Sequence, residues 1–125
     1  MSPHTRFELT FEDRPGYLYA CVKAATITDR LSEEYMQQIA ERFADSSLER
    51  LMIFRDIPAV LSTPATYFAA NRLIKMLPNV KIAFVNPYAS NEKILHFATT
   101  VGSNFGEHHE VFNDVDKAER WLLSR

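Results

Sequence analysis

Residues 50–77 read RLMIFRDIPAVLSTPATYFAANRLIKML, and the way this stretch divides decides the fold. Leu51-Met52-Ile53-Phe54 is a continuous apolar run, short enough for a strand whose two faces are both covered. Arg55-Asp56 closes the run with charge, and a loop containing Pro58 follows. Ser62-Thr63-Pro64 then opens a helix predicted to reach Leu77. A hydroxyl residue can cap the first turn, and Pro fits the first helical position because its missing N–H would have no helical partner there. In open α/β sheets ligands and partners bind at the carboxyl ends of the strands, so function is expected at this strand-to-helix junction.

Upstream, residues 6–12 alternate. Phe7, Leu9 and Phe11 share one face, and Arg6, Glu8, Thr10 and Glu12 share the other, which is the period of a half-buried edge strand. Asp13-Arg14-Pro15-Gly16 is a turn signal; Pro presets φ and Gly is free to take φ > 0. Residues 17–25 form the second strand of an antiparallel hairpin. Thr26-Ile27-Thr28-Asp29 leads into a helix to about Ala44 that carries Leu31, Tyr35, Ile39 and Phe43 on one stripe, widened by Met36 and Ala40. Glu33 and Glu34 stand early in it, where the helix dipole favours negative charge.

Downstream, Pro78-Asn79 ends the central helix and residues 81–85 (KIAFV) form another short apolar strand. Ser90 or Asn91 is expected to cap a helix with Ile94, Ala98, Val101 and Phe105 at helical spacing, and Gly106 stands where a terminating glycine belongs. Residues 109–112 read as a short strand. Asn113 or Asp114 caps a last helix with Val115, Ala118 and Leu122 inward and Trp121 beside them. The order is ββαβαβαβα. Strands that alternate with helices are parallel and joined by right-handed crossovers, so the expected fold is one α/β domain over 1–125, with a mixed sheet and helices on both of its faces.

Composition narrows the function classes. The net charge of −2 carries no basic excess, so nucleic acid is not an expected partner. One cysteine, Cys21, leaves no intramolecular disulfide and fits a reducing compartment. No apolar run approaches the ~18 residues of a membrane span, and the first residues lack a signal peptide's apolar region; a cytoplasmic location is the expectation. Three glycines leave neither a GxGxxG nor a phosphate loop, and no cofactor is expected.

With these elements in order, the whole chain resembles the STAS family of anti-sigma-factor antagonists, in particular its SpoIIAA-like branch of small bacterial proteins. The likeness rests on the LMIFRD strand, the STPATYF helix start, the KIAFVNP strand and the closing DVDKAERWLL helix. It implies a regulatory, non-catalytic module that binds a protein partner or a second copy of itself. That branch is also similar to CRAL-TRIO lipid-transfer domains, which implies a small apolar ligand as the alternative; an enzyme is the third reading. Regulatory members carry a phosphorylatable serine in an Asp-x-Ser-x-Gly setting at the helix after the central strand. Ser62 or Thr63 stands near that place, but Asp56 precedes Ser62 by six residues rather than two, and the glycine is missing.

The remaining candidates have plain readings beside functional ones. Ser62-Thr63 is a helix cap or an anion-accepting, phosphorylatable helix start. Arg55-Asp56 is a solvated strand end or local ion pair, or else part of a polar pocket with Thr26, Asn86 and Tyr88. Arg72 and Lys75 lie one turn apart on the central helix, as a solvated face or, for Arg72, as part of a ligand or partner surface. Cys21 lies inside a strand as a small apolar residue, and nothing adjacent would lower its pKa. His108 and His109 point to opposite faces of a strand, and His96 stands alone on its helix, so no metal site is expected. On the central helix Ala65, Ala69, Leu73 and Met76 are expected inward, with Phe68 on their flank. Tyr67, Ala70, Ile74 and Leu77 make a second apolar band, which would face a partner or a second copy.

Overall fold

The computed structural model describes residues 7–124. One five-stranded sheet holds β1 (Glu8–Arg14), β2 (Tyr17–Lys23), β3 (Arg50–Asp56), β4 (Lys81–Val85) and β5 (His109–Phe112), in the spatial order β1-β2-β3-β4-β5. β1 runs antiparallel to β2, and the other pairings are parallel. The helices are α1 (Asp29–Asp45), α2 (Thr63–Met76), α3 (Glu92–Asn104) and α4 (Val115–Leu123). The expected α/β mixed sheet is therefore the observed one, with β3 in the middle.

Sequential parallel strands joined by right-handed crossovers put every crossover helix on one face. α1, α2 and α3 are those crossovers. Leu18, Ala20, Val22, Leu51, Ile53 and Ile82 pack there with Leu31, Tyr35, Ile39, Leu73 and Leu77. After β5 the chain ends in α4, which covers the other face; Ala118 and Leu122 pack on Tyr17, Met52, Ala83 and Val85. Lys81 anchors this helix, its Nζ donating to the carbonyls of Trp121 (2.7 Å) and Ser124 (2.8 Å). A cation at a helix C-terminus satisfies carbonyls that have no helical partner.

Several local expectations are corrected. The first strand runs to Arg14 and the second stops at Lys23, because the Pro15-Gly16 pair alone makes the turn, with Gly16 at φ +90°; Arg6 lies outside the described residues. Phe54 is half-buried while Leu51, Met52 and Ile53 are buried, since the nine-residue α4 covers only part of its face. The inward stripe of α2 is Thr66, Ala70 and Leu73, continued by Leu77. Ala65, Ala69 and Met76 are half-buried, and Phe68 faces solvent, 61 % exposed. Neither Ser90 nor Asn91 caps α3 with a side chain; a 3₁₀ turn at Ala89–Asn91 leads into it. Phe105, placed inward by its spacing, is exposed, because the helix ends at Asn104 and Gly106 turns the chain away at φ +82°. Of the two candidates before α4, Asp114 is the cap, its carboxylate accepting from the Asp116 N–H.

Candidate functional site

Side chains alternate across a strand, so Arg55 and Asp56 leave the end of β3 on opposite faces. Asp56 accepts a 2.6 Å hydrogen bond from the phenol of Tyr88, in the turn after β4. That turn is built by Asn86, whose amide donates to the Tyr88 carbonyl (2.7 Å) while its Oδ1 accepts from the Tyr88 N–H (3.2 Å). The bond to Asp56, followed by burial, raises the Tyr88 pKa, because ionising the phenol would set two negative charges face to face. Thr26 is exposed. Asn86, Tyr88 and Asp56 thus form one cluster, and Arg55 is not in it.

Arg55 turns to the three-helix face and is buried, 6 % exposed. This corrects the solvated strand end and the local ion pair. Its guanidinium donates to the carbonyls of Ile57 (2.9 Å) and Ala59 (2.7 Å). Asn91 donates to the same Ile57 carbonyl (3.1 Å), so the loop between β3 and α2 is held from two sides. Burial of Asn91 went unread in the sequence; a lone Asn beside a helix start looks like a cap.

Beneath α2, between that helix and the sheet, lies a cavity with about 70 Å³ open to a water-sized molecule. Tyr35 and Met36 of α1, Leu73 of α2, Ile94 of α3 and Ile53 and Phe84 of the sheet supply apolar wall. Polar groups on it are few, chiefly Arg55, Ser32, Thr66, Thr99 and His109. Val60, in the loop that Arg55 holds, is the most exposed of the lining residues, at 38 %. His109 lies at the far end. It pairs with Ile82, which pairs with Leu51, four residues before Arg55; at ~3.3 Å per residue the two are about 13 Å apart along the strands. The His109 ring packs against Gly102, where a Cβ would collide with Nδ1, and its Nε2 is buried with no hydrogen-bond partner among the described residues. Burial lowers the His109 pKa, so the ring is neutral at pH 7. The alternation along β3, which sets Arg55 on the same face as Ile53, was the sequence signal for the polar end of this cavity.

The other face of α2 presents Tyr67 (42 % exposed) and Phe68 (61 % exposed), edge to face with ring centroids 5.7 Å apart. Ile74 and Arg72 are half-buried and Lys75 is exposed. Ser62 is the α2 cap, its Oγ accepting from the Ala65 N–H at 3.3 Å. Thr63 is the first helical residue and is exposed. Cys21 is half-buried, with its thiol pKa pushed up by burial. Among the described residues no helix is long and apolar enough to cross a membrane.

This geometry has solved counterparts. An anti-sigma factor antagonist from Mycobacterium paratuberculosis superposes with a TM-score of 0.69 at 16 % identity, over 99 % of this chain and 100 % of that one. An uncharacterized protein with a SpoIIAA-like fold from Shewanella loihica superposes with a TM-score of 0.56 at 18 % identity, over 93 % of each chain. No family model and no curated protein sequence matches the chain. At these identities the likeness defines the fold: it is the SpoIIAA-like fold, the STAS fold of anti-sigma-factor antagonists.

Proposed function

We propose that this chain is a non-catalytic, regulatory binding module that docks a protein partner on the first turns of α2 and the adjoining strand-end loops. The observation that carries the reading is the Tyr67–Phe68 pair. Two adjacent aromatic rings stand in solvent on the helix that follows the central strand. Aromatic residues, Tyr and Phe among them, are enriched at protein interfaces relative to the rest of the surface. The structural likeness to an anti-sigma factor antagonist supports a partner that is itself a protein, in the cytoplasm, with residues 1–125 acting as one unit. A second copy of the chain is the other candidate for this face. An enzyme is the weaker reading, because Asp56 is engaged by a phenol held neutral rather than by a base tuned near pH 7.

A photo-crosslinking phenylalanine analogue at position 68, expressed in the native host, tests the docking face. A discrete heavier adduct identified as one protein is expected, and the same probe at exposed Glu92 should not give it. Sedimentation velocity of wild type and Phe68→Glu separates self-association from a foreign partner. Absence of any adduct specific to position 68, with both proteins monomeric, sinks the reading.

The cavity favours a second reading, in which the module responds to a small ligand. Its apolar wall lies directly beneath α2, so occupancy would bear on the same helix that carries Tyr67 and Phe68.

A further inference from the structure

The two edges of the sheet differ in length. β5 offers four residues, whereas β1 offers seven, Glu8–Arg14. β1 stands at the end of the strand order, and among the described residues no strand pairs with its outer side. Such an edge presents a row of unpaired N–H and C=O groups, a template for another strand. Its side chains divide by face. Leu9 and Phe11 pack only in part against the three-helix core. Glu8, Thr10 and Glu12 are exposed on the other face, and Arg14 shares that face, because side chains alternate along a strand. The Arg14 guanidinium lies 3.9 Å over the Tyr19 ring and bonds Glu12 and Tyr17, which leaves other N–H groups of its fork for a second carboxylate.

We propose that β1 pairs antiparallel with β1 of a second copy of this chain, joining the two sheets into one across a twofold axis at Phe11. A twofold contact is isologous, so residue i meets residue j and j meets i. A slip of one residue would exchange the faces, so only registers that keep each face on its own side are open. Centred on Phe11, the register sets Glu8 of each copy against Arg14 of the other, Thr10 against Glu12, and Phe11 against itself. Leu9 meets Asp13, whose charge Arg42 of α1 already takes at 2.9 Å. Centring on Thr10 instead sets Glu8 against Glu12, and centring on Glu12 sets that carboxylate against its own copy. Like charges directly opposite are destabilising, so charge selects the Phe11 register. The pairing also covers the exposed parts of Leu9 and Phe11. It does not involve α2, the crossover between β3 and β4. The dimer therefore carries two Tyr67–Phe68 faces, and the inference stands whether or not that face docks a partner.

Sedimentation velocity of the full chain from about 1 μM to about 1 mM, the range of weak association, tests the pairing. A monomer–dimer equilibrium is expected, and Phe68→Glu should leave it unchanged. Glu8→Arg sets like charges opposite each other at both symmetric positions and should weaken the dimer about tenfold. Glu8 is exposed, so this variant should keep its fold, which circular dichroism checks. Arg14→Glu should weaken the dimer similarly, and an equimolar mixture of the two variants should associate again, each strand complementing the other. Because Arg14→Glu also removes contacts within its own sheet, cross-linking provides a second readout. With Cys21→Ala as background, oxidation should join Phe11→Cys to its own copy, since directly opposite residues of antiparallel strands lie about 4.5–5.5 Å apart at Cα, within disulfide reach. Glu12→Cys should not cross-link. A monomer at every concentration overturns the proposal. A dimer indifferent to Glu8→Arg, or one that Glu12→Cys cross-links in place of Phe11→Cys, overturns the β1 register.

Discussion

Tyr88 donates its phenolic proton to Asp56 across a 2.6 Å hydrogen bond that ties the turn after β4 to the end of β3. The bond holds that proton, and Tyr17 and Tyr19 are also harder to ionise, there chiefly through burial. Below pH 10 these phenols are neutral in both folded and unfolded chains, so their contribution to stability is complete. Above it the unfolded chain ionises first, and stability falls until the folded phenols titrate too. Ultraviolet titration of Tyr88→Phe should therefore lose a phenol that titrates above 10. Loss of one with an ordinary pKa would mean that the bond does not exist in solution.

His109 gives the opposite pH dependence. Its folded pKa lies below the ordinary value of about 6.5, mainly through burial, with Glu107 opposing and His108 adding to the shift. Above 6.5 the contribution to stability is complete. As pH falls through 6.5 the unfolded chain takes up the proton first, and stability is lost down to the folded pKa. Denaturant melts between pH 7 and 5 should show a steeper loss for wild type than for His109→Gln. Equal slopes would place the imidazole in water.

The core can be ranked. Ile53 is buried within the three-helix face, and Ile53→Ala should cost about 2–5 kcal/mol through lost transfer energy and a cavity. Phe54 is only half-buried beside α4. Phe54→Ala should fall below the ~3–5 kcal/mol of a fully buried Phe. Chemical denaturation of both variants decides the order; a larger loss for Phe54 would mean that something more than α4 covers its face.

The contrast between those two residues shows what was legible in the sequence. Run length and turn chemistry placed β3, β4 and β5, since Arg55-Asp56, Asn86-Pro87 and Asn113-Asp114 stop their strands unambiguously. The face of α2 was harder. Its inward stripe contains Thr66, whose hydroxyl approaches the Leu61 carbonyl at 3.5 Å, and hydropathy assigns a threonine outward. Phe68 and Phe105 err in the other direction, being apolar yet exposed. Arg55 was misread for the same reason: charge suggested solvent, whereas strand alternation put it on the face of Ile53 and the loop carbonyls made burial tolerable. Hydropathy fails where backbone carbonyls or cavities receive a polar group, and both occur around α2.

Ser62 and Thr63 stand side by side at the start of α2, but their structural roles differ. Ser62 is the cap, with Oγ at 3.3 Å from the Ala65 N–H; Thr63 is already helical and exposed. Loss of an N-cap hydroxyl costs about 0.5–2 kcal/mol, and the long, exposed bond puts Ser62→Ala near the lower end. Thr63→Ala should change stability by no more than about 0.5 kcal/mol. A phosphate on either residue would bring roughly −1.5 to −2 charges to the positive end of the helix dipole, beside the exposed Tyr67 and Phe68. If the site regulates docking, Ser62→Glu should change partner affinity by more than its stability change explains, and Ser62→Ala should not. A cap without a regulatory role gives equal affinities for all folded variants. Phosphopeptide mapping of protein from its native host completes the test: we expect Ser62 and Thr63 unmodified, since no glycine or nearby aspartate sets them in the Asp-x-Ser-x-Gly context, and stoichiometric phosphate on either would reverse that conclusion.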